Sequence, residues 1–227
     1  MLHTINDLYG NKLIAKDGEI GHIKDFYFDD KNWAIRYIVV NTGSWLTGRL
    51  VLISPHAFGT LEPKDETLHV KLTRKQIENS PSIATHRPVS RQYEEDYHIY
   101  YGWPAYWEGG GMWGASGYPV TTSPPLGQDR PHHGHNQRDD IHLHSTTAVK
   151  GYHLHASDGE IGKVCGFRVN DTTWAIEELI AMTGHWYSHQ KIMIPTAMIK
   201  RLSYEESNVV IRLTRAQIQQ FTHIEVV

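Results

Sequence analysis

The sequence predicts a mainly β protein: two small β-barrels, each ending in a short helix, joined by a connector rich in aromatic, Gly, Pro and His residues. The first observation behind this is a repeat. LIAKDGEIGHI, starting at Leu13, returns as LHASDGEIGKV, starting at Leu154, at a constant offset of 141. The register then holds without a gap: Asp30, Trp33, Ala34 and Ile35 fall on Asp171, Trp174, Ala175 and Ile176, and Thr42, Gly43 and Trp45 fall on Thr183, Gly184 and Trp186. Self-similarity over such a length marks the duplication of one structural unit. The second observation is a series of short apolar runs with strong turn signals about every ten residues. The third is a capping-box pattern at the same place in each copy, Thr73-Arg74-Lys75-Gln76 and Thr214-Arg215-Ala216-Gln217.

Taken in order, Asp17-Gly18 is a hairpin dipeptide, because glycine takes positive φ at low cost, and Asp158-Gly159 repeats it. Residues 20–28 read as a strand and 29–32 as a polar turn. Residues 33–41 form a second strand, with Trp33, Ile35, Tyr37 and Val39 on one face and Ala34, Ile38 and Val40 on the other. Being apolar on both faces, it should be central in its sheet. A loop carrying Thr42-Gly43 and Trp45 follows, then a strand over 50–54 stopped by Pro55 and another over 67–72 that runs into the capped helix. Pro81 closes that helix.

Length and repeat together divide the chain into a first barrel over 1–85, a connector over 86–145 and a second barrel over 146–227. Cores this small are marginal alone, since a domain of about 60 residues buries only about 60% of its unfolded surface, so the copies should pack on each other. Lys+Arg 22 against Asp+Glu 25, a net charge of −3, leaves no basic footprint for nucleic acid or an anionic membrane. The N-terminal residues lack a basic, then apolar, signal pattern, and no run approaches the ~20 apolar residues of a spanning helix. Cys165 is the only cysteine, so no intrachain disulfide can form and a cytoplasmic location is expected. On an apolar strand it reads as an inert thiol.

The pattern DGEIGHIKDFYFDDKNWAIRYIVVNTGSWLTGRLVLISP resembles the PRC-barrel domain, found in the cytoplasmic part of the photosynthetic reaction-centre H subunit and at the C-terminus of the ribosome-maturation factor RimM. The glycine turn, the DxxxW strand entry, the TGxW loop and the Arg-plus-apolar strand occur together and in order. The resemblance covers roughly residues 5–80 and, more loosely, 146–222. The H subunit's membrane-spanning helix and RimM's separate N-terminal domain have no counterpart here. The resemblance is therefore to tandem PRC-barrel proteins, and it implies a fold while leaving the function open.

Between the copies, Tyr93, Tyr97, Tyr100, Tyr101, Trp103, Tyr106, Trp107, Trp113 and Tyr118 are interleaved with Gly and Pro. Leaving these rings in water is costly at about 25 cal/mol per Å² of apolar surface, so this half of the connector should lie against the barrels. A His-rich stretch follows, and nine of the sixteen histidines fall between His86 and His155. Imidazole is the commonest transition-metal ligand, which makes His132, His133, His135, His142 and His144 a candidate Zn or Ni site; a hydrophilic linker is the alternative.

Other candidates are weaker in chemistry. The acids of the two DGEIG runs read as turn residues rather than paired catalytic carboxylates. No serine sits in a G-x-S-x-G context with a recognisable His and acid. Trp45 and Trp186, in matching loops, are candidate partner contacts or lids on their own barrels. Position 36 is Arg where its equivalent, 177, is Glu, and such divergence to opposite charge would favour an inter-barrel seam with Arg36 near Glu177. The resulting expectation is a soluble, non-enzymatic adaptor with no cofactor, binding a protein partner but neither nucleic acid nor membrane; self-association stays open. The alternative is a metal-binding or metal-sensing protein using the His-rich connector.

Overall fold

A computed structural model describes residues 1–81, 91–107, 111–114, 116–119, 143–184 and 190–221. It is built from two seven-stranded, mainly antiparallel sheets with the same strand order. In the first, β2 (Lys12–Ala15), β3 (Gly18–Asp29), β4 (Ala34–Asn41) and β5 (Leu50–Ile53) run as a meander. β6 (Phe58–Glu62) and β7 (Thr67–Val70) return to the other side, where β7 pairs with β2 in parallel. The helix α2 (Arg74–Glu78) follows. The second sheet repeats every step with β9 (His153–Ala156), β10 (Gly159–Asn170), β11 (Ile176–Thr183), β12 (Lys191–Pro195), β13 (Ile199–Ser203) and β14 (Asn208–Ile211), then α5 (Arg215–Phe221).

The shared motif is structural. Gly18 and Gly159 turn the hairpin at φ of 141° and 142°. At Gly21 and Gly162 a Cβ would stand 2.0 Å from the carbonyl oxygens of Asn41 and Met182, so only glycine lets β3 and β10 lie so close to their neighbours. The aspartates reach the far end of each repeat. Asp17 accepts from the backbone N–H of Arg74 at 2.7 Å, and Asp158 from that of Arg215 at 2.9 Å. Both capping boxes are formed: Thr73 N–H donates to Gln76 Oε1 at 2.9 Å while Gln76 N–H donates to Thr73 Oγ1 at 3.3 Å, and Thr214 and Gln217 do the same at 2.9 and 3.2 Å.

The seventh strand of each sheet comes from the other repeat. β1 (Leu2–Thr4) pairs with β10, placing Leu2 opposite Asn170 and Thr4 opposite Arg168. β8 (Leu143–Ser145) pairs with β3, placing Leu143 opposite Asp29 and Ser145 opposite Tyr27. These registers are equivalent under the repeat offset, so the copies exchange first strands reciprocally. The single turns that follow, α1 (Ile5–Leu8) and α4 (Thr146–Val149), cross with them, α1 against β10 and α4 against β3. Sheet membership thus cuts across the division at 85 and 145: Leu2–Thr4 completes the second sheet and Leu143–Ser145 the first.

A pseudo-twofold axis passes between Ala34 and Ala175, which form an antiparallel bridge. Ile35 N–H donates to the Trp174 carbonyl at 2.8 Å and Ile176 N–H to the Trp33 carbonyl at 2.6 Å. Sequence pattern places Trp33 in a strand; the structure instead has Trp33 and Trp174 in the left-handed region, at φ of 52° and 56°, which turns each carbonyl toward the other barrel. Phe28 meets Phe167 at 5.5 Å and Phe58 meets Trp174 at 4.5 Å across the junction, so one hydrophobic core runs through both barrels.

Polar groups lock the exchange. Asp25 accepts from Ser145 Oγ, Thr146 Oγ1 and both the N–H and Oγ1 of Thr147. Its counterpart Gly166 has no side chain, and Asn6 fills that space, donating to the Cys165 carbonyl at 3.0 Å. His3 stands 2.9 Å from Asp171 and its equivalent His144 stands 3.4 Å from Asp30. Burial would raise the Asp171 carboxyl, but hydrogen bonds from the Met1 amino group and His3 outweigh it and hold it below the ordinary carboxylate value.

Asp25→Ala should cost about 2 kcal/mol in denaturant unfolding, the scale of hydrogen bonds to a charged group; a loss under about 0.5 kcal/mol would mean the carboxylate contributes no more than an ordinary surface residue. Because the Asp171 carboxyl is depressed on folding, its contribution is present above the unfolded value near pH 4 and is lost as pH falls through the folded one. Asp171→Asn should therefore be less stable than wild type at pH 7, with the gap closing toward pH 3; a gap independent of pH would contradict the pairing.

Candidate functional site

The outer face of β3, β4 and β5 shows where the copies differ. In the first barrel it carries Tyr27, Tyr37, Val39, Leu50 and Leu52, with Leu143 from the exchanged strand β8 beside them. Connector helix α3 (Arg91–Tyr101) lies over this face. Tyr93, Tyr97, Tyr101 and Trp103 pack on it, and the Tyr97 hydroxyl donates to the Leu52 carbonyl at 2.8 Å. The aromatic half of the connector is therefore a cover for the first barrel.

Under that cover sits a group of buried charges. Glu94, fully buried, accepts from the Tyr37 hydroxyl at 2.9 Å and from the Tyr106 hydroxyl at 2.6 Å. Burial, then the Glu94 charge, pushes the Tyr37 hydroxyl well above its ordinary value, which keeps it a donor. His98, 3% exposed, contacts the Tyr37 oxygen through Nε2 at 3.1 Å and the Pro104 carbonyl through Nδ1 at 3.0 Å. A carbonyl only accepts, so His98 presents a proton from Nδ1 to Pro104, while Nε2 lies within hydrogen-bond distance of the Tyr37 hydroxyl.

Arg36 is 1% exposed. Its Nε donates to Asp29 at 2.5 Å, and its guanidinium lies between the Tyr106 ring at 3.9 Å and the Trp113 ring at 4.6 Å. Nη1 and Nη2 have no hydrogen-bond partner among the described residues, so the ring faces are what compensate their loss of water. Trp113 in turn donates to the Thr173 carbonyl of the second barrel at 2.8 Å. Arg36 is thus the anchor that ties connector, first barrel and second barrel together.

The same face of the second barrel is built differently. Arg168, Glu178, Ile180, Lys191 and Met193 replace Tyr27, Tyr37, Val39, Leu50 and Leu52. Arg168 donates to Glu178 at 2.8 Å. There Arg168, Ile180, Lys191 and Met193, with Leu2 from the exchanged strand, line a cleft of about 350 Å³. Asp7 and Glu66 add acids to its wall.

The residues singled out from sequence distribute as follows. Arg36 and Glu177 do not form the expected inter-barrel pair: Arg36 bonds Asp29, and Glu177 accepts from Asn170 at 2.9 Å within its own barrel. The reason is geometric. An antiparallel crossing at Ala34 and Ala175 carries each two residues away in opposite directions, about 13 Å of strand at ~3.3 Å per residue. Trp45 is half-buried against the core, with the Arg74 guanidinium 4.4 Å over its ring. Trp186, His132, His133, His135 and His142 lie outside the described residues. His144 is held in the seam by Asp30 and packs on Phe28 at 5.6 Å. Among the described residues no trio of His, Cys, Asp or Glu stands in metal-holding geometry. Burial raises the Cys165 thiol, as an inert cysteine requires.

Sequence reasoning missed Glu94, His98 and the exchanged strands. The signal for the strands was present: Leu2-His3-Thr4 and Leu143-His144-Ser145 stand at the repeat offset, which marks His144 as part of the repeat rather than of the His-rich tract. Replacing Arg36 with the Glu of its counterpart should break the anchor. Arg36→Glu leaves Asp29 buried beside a like charge, a cost of about 3–5 kcal/mol, and should open residues 91–119 to protease with a red shift in tryptophan emission. A resistant connector would show that Arg36 does not hold it.

Comparison with known proteins agrees with this architecture. Residues 2–77 match the family model of the PRC-barrel domain, a span running from the exchanged strand β1 through the sheet to α2. No curated protein matches the chain. The second barrel lies outside that match; its kinship rests on the repeat and on its identical strand order. Residues 2–77 accordingly form a PRC-barrel domain.

Proposed function

We propose that this chain is a non-enzymatic binding module, an adaptor that engages a protein partner through the outer face of its second barrel. One observation carries the reading. The two barrels present equivalent faces: the connector covers the first, and among the described residues no connector element covers the second, a cleft with half-buried Lys191 and Met193. Equivalent sheet faces on duplicated folds accept similar kinds of cover, and the first shows what kind: a short helix bearing aromatic side chains. The mixed lining of Arg168, Lys191, Asp7 and Glu66 around Ile180 and Leu2 favours a polar-rimmed, apolar-centred contact, the anatomy of a non-obligate interface. No helix among the described residues is long and apolar enough to cross a membrane.

A photo-crosslinking residue at position 193, in the full chain expressed in its native host, tests this. A discrete crosslinked protein is expected, and it should disappear when Lys191→Glu is added, with the melting temperature unchanged. Crosslinks that ignore Lys191→Glu, or that form equally from an exposed control position such as Tyr204, would count against the cleft.

A further inference from the structure

On the open side of the second sheet, away from the cleft lining, duplication has changed a second set of residues. In the first barrel Lys12 and Glu19 face each other across β2 and β3 at 3.9 Å, with Ile14 beside them. In the second barrel the equivalents are His153, Glu160 and His155. An ordinary Lys–Glu surface pair and an aliphatic residue have become two imidazoles and a carboxylate.

Strand geometry brings the three together. His153 and His155 are two residues apart on β9, so both project from the same face of the sheet, while Leu154 and Ala156 between and beyond them are buried. Their ring centroids are 6.4 Å apart. Glu160 is the residue directly opposite His155 on β10, and its carboxylate lies 2.7 Å from His153 Nδ1. Around the group, Lys163 lies opposite His153 on one side and Asn208 on the other, and Val210 lies opposite His155; Lys163 is exposed and free to swing its ammonium outward.

We propose that His153 and His155, completed by Glu160, form a surface chelate for one divalent late first-row transition-metal ion. The two imidazoles supply the core of the site, since nitrogen ligands of this kind suit Cu²⁺, Ni²⁺ and Zn²⁺. In this structure His153 is turned onto Glu160, so the three groups do not stand in metal-holding geometry until the ring rotates. Its side chain is about half exposed, and rotating an exposed ring between staggered positions is inexpensive. Closure then needs only side-chain rotation, because the paired strands β9 and β10 already fix the three Cβ positions. The site is independent of the cleft and of the His-rich stretch of the connector.

Paramagnetic broadening separates these sites in the intact chain. With substoichiometric Cu²⁺, amide signals of residues 153–155 and 160–163 should broaden first in ¹H–¹⁵N spectra. His155→Ile, which restores the residue of the first barrel, should weaken that binding by about 10–100-fold, the scale on which metal sites respond to loss of a supporting interaction, and Glu160→Gln by less. Broadening confined to residues 132–144, or unchanged broadening at 153–163 in His155→Ile, would overturn the proposal.

Discussion

The organisation of this protein depends on two backbone hydrogen bonds around one point, from Ile35 to Trp174 and from Ile176 to Trp33. They join equivalent residues, so they impose a pseudo-twofold axis, and what crosses the junction near it tends to cross twice: the strands β1 and β8, the turns α1 and α4, the pairs His3–Asp171 and His144–Asp30. The left-handed backbone of each tryptophan costs on the order of 1–3 kcal/mol. It is offset because the same twist aims the carbonyl at the other barrel and lays the Trp33 ring on Phe28 and the Trp174 ring on Phe58. This is the geometry of an isologous dimer interface built within a single chain, where the second contact forms at the high effective concentration that covalent linkage supplies.

Strand exchange also answers the problem of size. A sheet of six short strands with one helix buries too little to be secure alone, and each barrel gains a seventh strand and an apolar turn, Ile5 and Leu8 on one side and Val149 on the other. The core that results is continuous, so the barrels stabilise each other rather than merely touch. There is a kinetic consequence. β1 and β10 are about 168 residues apart, and pairing over such separations pays its loop-closure entropy before any contact rewards it. The slow step of folding should be the exchange, after each meander has formed.

Much of the fold was legible in the sequence, and the reasons are physical. Asp-Gly turns, the two glycines of DGEIG and the Thr-x-x-Gln boxes are local requirements with few alternatives, so they carry information at short range. Exchange is different: Leu2-His3-Thr4 pairs as a strand wherever an edge is offered, and nothing local says which barrel offers it. Glu94 and His98 were illegible for a related reason. In sequence they belong to an acidic, aromatic helix of ordinary appearance, and the Tyr37 hydroxyl, supplied from 57 residues away, together with that of Tyr106 makes burying that carboxylate tolerable. The Arg36–Glu177 contrast has the look of complementarity in sequence, yet it records that, among the described residues, the connector covers one face and not the other.

That contrast points to where function resides. Substitutions at the seam act on both barrels at once, because each seam residue completes the sheet or core of the other copy; Trp33 and Trp174, Ala34 and Ala175, His3 and His144, and Asp30 and Asp171 have stayed identical within the chain. The outer faces carry no such coupling. There Tyr37 stands against Glu178, Leu50 against Lys191, Leu52 against Met193 and Ile14 against His155. Part of this divergence follows simply from the connector covering one face and, among the described residues, not the other. Solvent alone, however, asks only for polarity. It does not ask for an apolar centre at Ile180 and Leu2 inside a charged rim, nor for two imidazoles and a carboxylate on neighbouring strands. Those arrangements exceed what exposure requires, and the excess is the part of the molecule that the fold does not explain.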